Sequence, residues 1–392
     1  MTDELRVRVY NVLFGDAILI SVPERDGNGG TQIKHILVDV GNAGAGKGSK
    51  NVVFAPVIKD IIRVLNGHPL DLYVMTHEHL DHVQGLLAAS KGDPPLKFDV
   101  DYAWLTGSAA PGYSRGFAAA GRRADAFQRE FEEIGRYVEA LPAAELHPWV
   151  RALFDINDSR KTKDCVDYIK QWAPEDKTAY VYRGYGLAGK HPFTEAKLDI
   201  WAPEQNTAVY PCKLRPLALG VKPAEGKKKS AKLAKVEPPP GVGAEAFYNL
   251  VEMRRRGLFD NLLAIDAAEN NTSIVFSLQW RGWTLLFAGD AETESWDMMA
   301  QQGVLAPVDF LKVSHHGSSN GLPRAEQLDI IMPRQAPARP RRAVVSTFQG
   351  THRGVPARKL LDEQLGCRCE ELCYVEAPAV ADGRYKDFKF EG

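Results

Sequence analysis

Seven residues constrain this chain more than any others: Thr76-His77-Glu78-His79-Leu80-Asp81-His82. They follow an apolar run over residues 70–75 and precede Val83-Gln84-Gly85. Four groups able to ligate a metal fall here in the order His-x-His-x-Asp-His. Imidazole and carboxylate together suit Zn(II), Mn(II) or Fe(II), and so short a reach fits a loop at a strand tip better than one helical face. A single histidine on an apolar face is usually a satisfied core residue. Three histidines and an aspartate set this closely need partners once buried, and a metal supplies them.

The flanking pattern predicts a sheet that presents this loop. Residues 5–10 alternate, Val7 and Val9 against Arg6 and Arg8, as a half-buried strand does. Residues 11–16 turn, 17–22 form a second strand, Asn28-Gly29-Gly30 is a hairpin turn, and 36–41 form a third strand through Asp39-Val40-Gly41. Val57, Ile58, Ile61, Ile62 and Leu65 recur at helical spacing before Asn66-Gly67 stops the helix. The strand at 70–75 follows, and a strand–helix–strand unit implies a mixed sheet with helices packed against it.

Beyond the loop, 100–106 reads as a strand and 117–141 as an amphipathic helix. Strands are expected at 178–182 and 197–202, and a short helix is expected to end at Met253-Arg254-Arg255-Arg256. Asn270-Asn271 opens a strand, Arg281-Gly282 turns it, and 283–288 returns into Gly289-Asp290-Ala291-Glu292. Residues 310–313 run into Ser314-His315-His316-Gly317-Ser318, and a strand at 341–347 precedes Thr351-His352-Arg353-Gly354 and a helix at 357–365.

The loop, Asp39, the Gly-Asp-Ala-Glu string and the Lys-Val-x-His-His-Gly-Ser string together resemble the metallo-β-lactamase fold superfamily. Within it they are most similar to the hydrolase domain of ComEC-type DNA-uptake proteins, with Gly15-Asp16 matching that branch's opening turn. The resemblance covers roughly residues 5–100 and 265–375. It implies an α/β fold, an αββα sandwich of two mixed sheets with helices outside and metals at one sheet edge. It also implies two divalent cations, Zn(II) or Mn(II). His77 and His79 would hold one, Asp81 and His82 the other, and Asp290 would bridge them. By the same resemblance, one of the two adjacent histidines would complete the second cation's set of ligands. His315 follows its strand directly and is expected to be the ligand, leaving His316 to face substrate or to support the ligands from behind.

Asp39 and Asn271 are expected to orient these groups, Asp81 and either His316 or His352 to act in catalysis, and Ser318 and Arg353 to contact substrate. One departure stands out. Many superfamily members place a further histidine before the bridging aspartate, and here only His147 and His191 offer one, neither in a matching context. The resembling position holds Asn270-Asn271.

The chain of 392 residues, 44% hydrophobic and 25% charged, suits one large domain over 1–392. A helical insertion is expected over 107–175 and a flexible basic, Pro-rich insertion over 207–260. A net charge of -1 gives no global field for nucleic acid, so the Lys-rich stretch 222–230, Arg254 to Arg256 and the arginines of 334–342 would have to supply it. Five cysteines without regular spacing argue against a secreted disulfide framework, and Cys367, Cys369 and Cys373 read as ordinary thiols. The amino terminus lacks a signal-peptide core, and no run approaches the roughly 18 to 20 apolar residues of a membrane span. A cytoplasmic, soluble protein is expected, with nucleic acid as substrate and no identified protein partner. The function expected is a metal-dependent hydrolase, first a nuclease acting on DNA or RNA. The alternatives are hydrolysis of a small phosphodiester or ester, and a non-catalytic partner subunit.

Overall fold

Near-continuous apolar runs along the central strands give each sheet two buried faces, and the fold follows from covering both. The computed structural model describes residues 3–25, 30–42, 50–140, 148–215, 244–334, 339–348, 354–376 and 385–392. In the first sheet β1 (Glu4–Tyr10), β2 (Ala17–Arg25) and β3 (Thr31–Val40) are antiparallel neighbours. β4 (Leu70–Met75), β5 (Val100–Thr106) and β6 (Thr178–Val181) continue it in parallel. The second sheet repeats this plan. β7 (Lys197–Ala202), β8 (Val275–Trp280) and β9 (Trp283–Phe287) are antiparallel, and β10 (Phe310–Lys312), β11 (Arg342–Ser346) and β12 (Glu371–Val375) run parallel to β9. β13 (Tyr385–Glu391) returns to pair antiparallel with β1.

The helices are α1 (Lys50–Leu65), α2 (Leu80–Ser90), α3 (Tyr113–Gly116), α4 (Ala118–Ala140), α5 (Pro148–Ile156), α6 (Ser159–Lys170), α7 (Ala244–Asn270), α8 (Thr293–Gln301), α9 (Ala325–Ile331) and α10 (Arg358–Gln364). Between the sheets lie Val9, Ile20, Val38, Val74 and Trp104 from one side and Phe276, Leu285, Phe287, Phe310 and Val344 from the other. The opposite face of the first sheet, Leu19, Leu37 and Tyr73, packs on Ile58 of α1, Val83 of α2 and Ile169 of α6. That of the second, Leu286 and Leu311, packs on Trp296 of α8, Ile331 of α9 and Leu361 of α10. The result is an αββα sandwich, two mixed sheets face to face with helices on both outer faces. Each fully buried Leu, Ile or Phe contributes about 1.5–3 kcal/mol, so this four-layer core holds the site edge firmly.

A further apolar cluster joins α4, α5 and α7 through Phe131, Phe154, Leu258, Leu262 and Ile265, with Phe131 and Phe154 stacked at 4.5 Å. The expectation of a short helix ending near Arg256 is overturned: α7 runs to Asn270. Leu258, Leu262 and Ile265 sit at helical spacing and bury against α4 and α5, which carries the helix past the basic run. Asn270 and Asn271 therefore lie at the end of a helix, and the strand expected to open there begins at Val275. The stretch 216–243, with the Lys-rich segment, lies outside the described residues, as does His147. Among the described residues no helix is long and apolar enough to cross a membrane.

Candidate metal centre

The carboxyl ends of β3, β4, β9, β10 and β11 meet at one edge, where an open sheet of this kind presents its chemistry. After β4 the chain turns through Thr76, His77 and Glu78, and α2 starts immediately after His79, so Asp81 and His82 sit in its first turn. Gly41 passes so close that a Cβ there would lie 2.0 Å from the Asp81 carbonyl carbon. Only glycine permits that approach. The Asp16 N–H donates to the Asp81 carbonyl at 3.2 Å, fixing the same turn from the β1–β2 connection.

Asp39 orients the loop from below. It is wholly buried at φ +53°, a left-handed conformation rare for a residue other than glycine. Its Oδ1 accepts the Thr76 N–H at 2.8 Å, and its Oδ2 accepts the Thr76 hydroxyl at 2.6 Å and His82 Nδ1–H at 2.8 Å. With Nδ1 donating, His82 directs the bare Nε2 into the site. Thr76 Oγ1 lies 3.1 Å from His77 Nδ1, which leaves His77 Nε2 bare in the same way.

Asp81, His82, Asp290 and His316 converge there, all buried, with one ligand atom from each within 4.8 Å of the others. His82 Nε2 is 3.2 Å from Asp290 Oδ2, and His316 Nε2 is 3.2 Å from Asp290 Oδ2 and 3.3 Å from Asp81 Oδ2. His316 Nδ1–H donates to the Ser346 carbonyl at 3.1 Å, so a backbone acceptor from β11 sets its tautomer. His77 stacks beside this group, its ring 4.2 Å from that of His82 and 4.6 Å from that of His79. His79 is differently placed: its Nε2 donates to Glu269 at the end of α7, at 2.9 Å.

The electrostatics follow from this crowding. Burial alone would hold His82 uncharged, but Asp290, Asp81 and Asp39 push it well above the usual imidazole range. For His316 burial is opposed by Asp290 and Asp81, which raise it to about 10. Burial works against ionisation of Asp290, yet His316 and His82 hold it well below the carboxylate range. His77 goes the other way: burial, then His82 and His79, keep it well below its usual value. His77 Nε2, Asp81 Oδ1, His82 Nε2, Asp290 Oδ1 and His316 Nε2 are buried without hydrogen-bond partners. Orphaned imidazole nitrogens and carboxylate oxygens pointing at one another are the donor set a divalent cation takes, and a cation among them would satisfy the carboxylates with the imidazoles neutral.

The two adjacent histidines are placed opposite to expectation. His316 enters this group, and His315 turns away toward Glu292 and Asp266. Both residues are in left-handed backbone, φ +47° and +51°, and this tight turn throws consecutive side chains to opposite sides. Asn271 is buried, and its Oδ1 accepts the N–H groups of Glu292 and Ser295 at 3.2 and 2.9 Å, tying the end of α7 to the start of α8 beside Asp290. The Ser318 hydroxyl lies at the cavity wall but donates to Asn320 Oδ1 at 2.6 Å. His352 and Arg353 lie outside the described residues. His191 accepts the Phe193 N–H at 3.2 Å in the turn before β7 and belongs to none of the donor groups.

Sequence reasoning missed two sets of residues. Lys312 is buried in β10 and pairs with buried Asp16, which also accepts from Ser346, so an ion pair bolts the two sheets together beneath His316. A lysine inside the apolar run Phe310-Leu311-Lys312-Val313 was the signal. The other set is Asp266 and Glu269, which join Asn270, already singled out, at positions i, i+3 and i+4 on α7 and face the site as one helical stripe. The arginines of 334–342 are far from it: Arg342 begins β11 and donates to the Lys389 carbonyl, while Ser346, at the strand's other end, touches the centre.

A cavity of about 440 Å³ opens on the group, lined by His79, Asp81, Asp266, Asn270, Asp290 and His315 below and roofed by Leu153, Ile156 and Leu263 of α5 and α7. No protein-family model matches the chain, and no curated protein matches it. Among solved structures it is similar to a long form of RNase Z from yeast, at 10% identity and a TM-score of 0.34, covering 98% of this chain and 41% of that one. The chain thus spans less than half the length of that structure.

Proposed function

We propose that this chain is a metal-dependent hydrolase, a phosphodiesterase that cleaves DNA or RNA, nearest in kind to the ComEC-type hydrolase domain. The observation that carries the reading is the meeting of Asp81, His82, Asp290 and His316, buried and with donor atoms left bare, at the carboxyl edge of both sheets. His77 and His79 would hold one divalent cation, Asp81, His82 and His316 the other, and Asp290 would lie between them. His79 gives up Glu269 to do so. Zn(II) or Mn(II) suits this mixture of imidazole and carboxylate. When bound, the pair supplies Lewis acidity at neutral pH.

The chain's own residues do the rest. Asp39 and Thr76 hold His82 and His77 in the tautomers that present Nε2. The Ser346 carbonyl does this for His316. Asp81, in the first turn of α2, would hold the centre through one oxygen and align an attacking water with the other. Leu153, Ile156 and Leu263 give the cavity an apolar wall, which lowers the local dielectric beside its charged groups. His352 and Arg353 are proposed, from sequence alone, to meet the leaving oxygen and a phosphate.

A second reading, hydrolysis of a small phosphodiester, is favoured by the roof itself. A space of about 440 Å³, walled on one side by α5 and α7, matches a nucleotide-sized ligand better than a duplex. The test is cleavage of linear and circular DNA, RNA and a small aryl phosphodiester with Mn(II), Zn(II), Mg(II) or chelator, with His79→Ala and Asp81→Ala alongside. Metal-dependent cleavage of polymer that both variants lose supports the nuclease. Turnover of the small ester alone moves the assignment to the second reading, and no turnover by metallated protein removes both.

A further inference from the structure

Asp266, Glu292 and His315 form another convergence of donors, and it shares no residue with the group around Asp290. One ligand atom from each lies within 4.8 Å of the others. They arrive from three elements: the last turns of α7, the residue capping α8, and the turn after β10. Asn270 stands among them, wholly buried. Its Nδ2 donates to Glu292 Oε1 at 2.8 Å and to Asp266 Oδ2 at 3.3 Å, and lies 3.4 Å from His315 Nε2.

The oxygen of that same amide tells the other half. Asn270 Oδ1 is buried with no partner, and His315 Nδ1 also lacks one although Glu292 Oε1 is 3.1 Å away. A buried acceptor left unmade costs about 1–3 kcal/mol. Two carboxylates and an imidazole thus enclose an amide NH₂, the weakest positive group available, while its acceptor is stranded. Turning the terminal amide over about χ2, a broad and soft torsion, exchanges the two. It presents the three residues and the amide oxygen as a shell of oxygens and one nitrogen. Both residues are already positioned: the Asp266 carboxylate accepts at Oδ1 from Asn157 Nδ2 at 2.8 Å, and the Glu292 backbone is fixed by its N–H donating to Asn271 Oδ1 at 3.2 Å. Neighbours that orient a ligand are what a cation site requires beyond the ligands themselves.

We propose that Asp266, Asn270, Glu292 and His315 form a third divalent-cation site, one that favours Mn(II) or Mg(II) over Zn(II) more strongly than the histidine-rich centre does. Oxygen donors carrying two negative charges set that preference. Asp266, Asn270 and His315 line the same cavity as Asp290, so a cation here faces whatever occupies it. The inference goes beyond the hydrolase reading and stands without it. It also gives Asn157 of the 107–175 stretch a task, namely aiming Asp266.

The test is titration of the full chain with Mn(II) alone, followed by calorimetry and by the electron paramagnetic resonance of free Mn(II). The expected result is one more equivalent bound by the wild type than by Asp266→Asn or by Glu292→Gln, with the remaining equivalents unchanged. Asn270→Asp adds a charged oxygen without needing the amide to turn, and is expected to bind that equivalent about tenfold tighter. Prior loading with one or two equivalents of Zn(II) is expected to leave it in place. Unchanged stoichiometry and affinity in both carboxamide variants would overturn the site, and so would weaker Mn(II) binding by a folded Asn270→Asp. If the wild type keeps two equivalents and the variants keep the same two, this site fails while the hydrolase centre stands. If the wild type binds no metal of any kind, both fail.

Discussion

The two halves of the centre are built in opposite ways. Residues 76–82 bring His77, His79, Asp81 and His82 in a single strand-to-helix connection, clamped by Gly41, Asp16 and Asp39 of the same sheet. The second sheet brings Asp290 and His316 one at a time, each from the end of a different strand, and holds them with α7, α8 and a backbone carbonyl. The difference shows in the two histidines that meet at Asp290. His82 leans on a buried carboxylate and His316 on the Ser346 peptide oxygen. One half concentrates its donors locally, and the other depends on the sheets staying in register.

That contrast can be broken outright at the residue both halves share. Asp290→Ala is expected to lower metal-dependent cleavage by a thousandfold or more, about 4 kcal/mol at the transition state, with the fold intact by circular dichroism. A variant that cleaves within tenfold of wild type would take Asp290 out of the centre. The next effect is on stability and belongs to the second sheet. Lys312→Met strands Asp16 without its ion partner in the interior and is expected to destabilise by about 3–5 kcal/mol in urea unfolding. Asp16→Leu in the same chain should recover much of that loss, because an apolar pair leaves no buried charge unpaired.

A smaller effect sharpens the comparison from the first sheet. Asp39→Ala removes the acceptor that holds both Thr76 and His82, and is expected to weaken Zn(II) binding about 10- to 100-fold in a chelator competition. An unchanged affinity would mean that the loop sets its own tautomers. The least of the four is Asn271→Ala, which deletes a side-chain cap on α8 and should cost about 1–2 kcal/mol in thermal unfolding. If that variant also loses the metal next to Asp290, the second half is more fragile than the first, as its construction implies.

Much of the fold was legible in the residues, because strand and helix periods are local. β4 and β5 fall on 70–75 and 100–106, where the apolar runs put them, and α4 lies within a residue of 117–141 at either end. The reach of α7 was not legible, since its last turns are stabilised by burial against α4 and α5, which lie more than a hundred residues earlier in the chain.

The sequence by itself determined that Asp81, His82 and their neighbours lie on one turn, and that strands bearing Asp290 and His316 exist. Four donors within six residues cannot lie far apart, whatever local structure carries them. Only the tertiary structure decided that His316 rather than His315 faces Asp290, that Lys312 pairs with Asp16, and that α7 brings Asp266 and Asn270 to the cavity. The direction of a side chain at a left-handed turn, and the partner of a buried charge, depend on what the opposite sheet and a distant helix place there. No pattern within either segment carries that information.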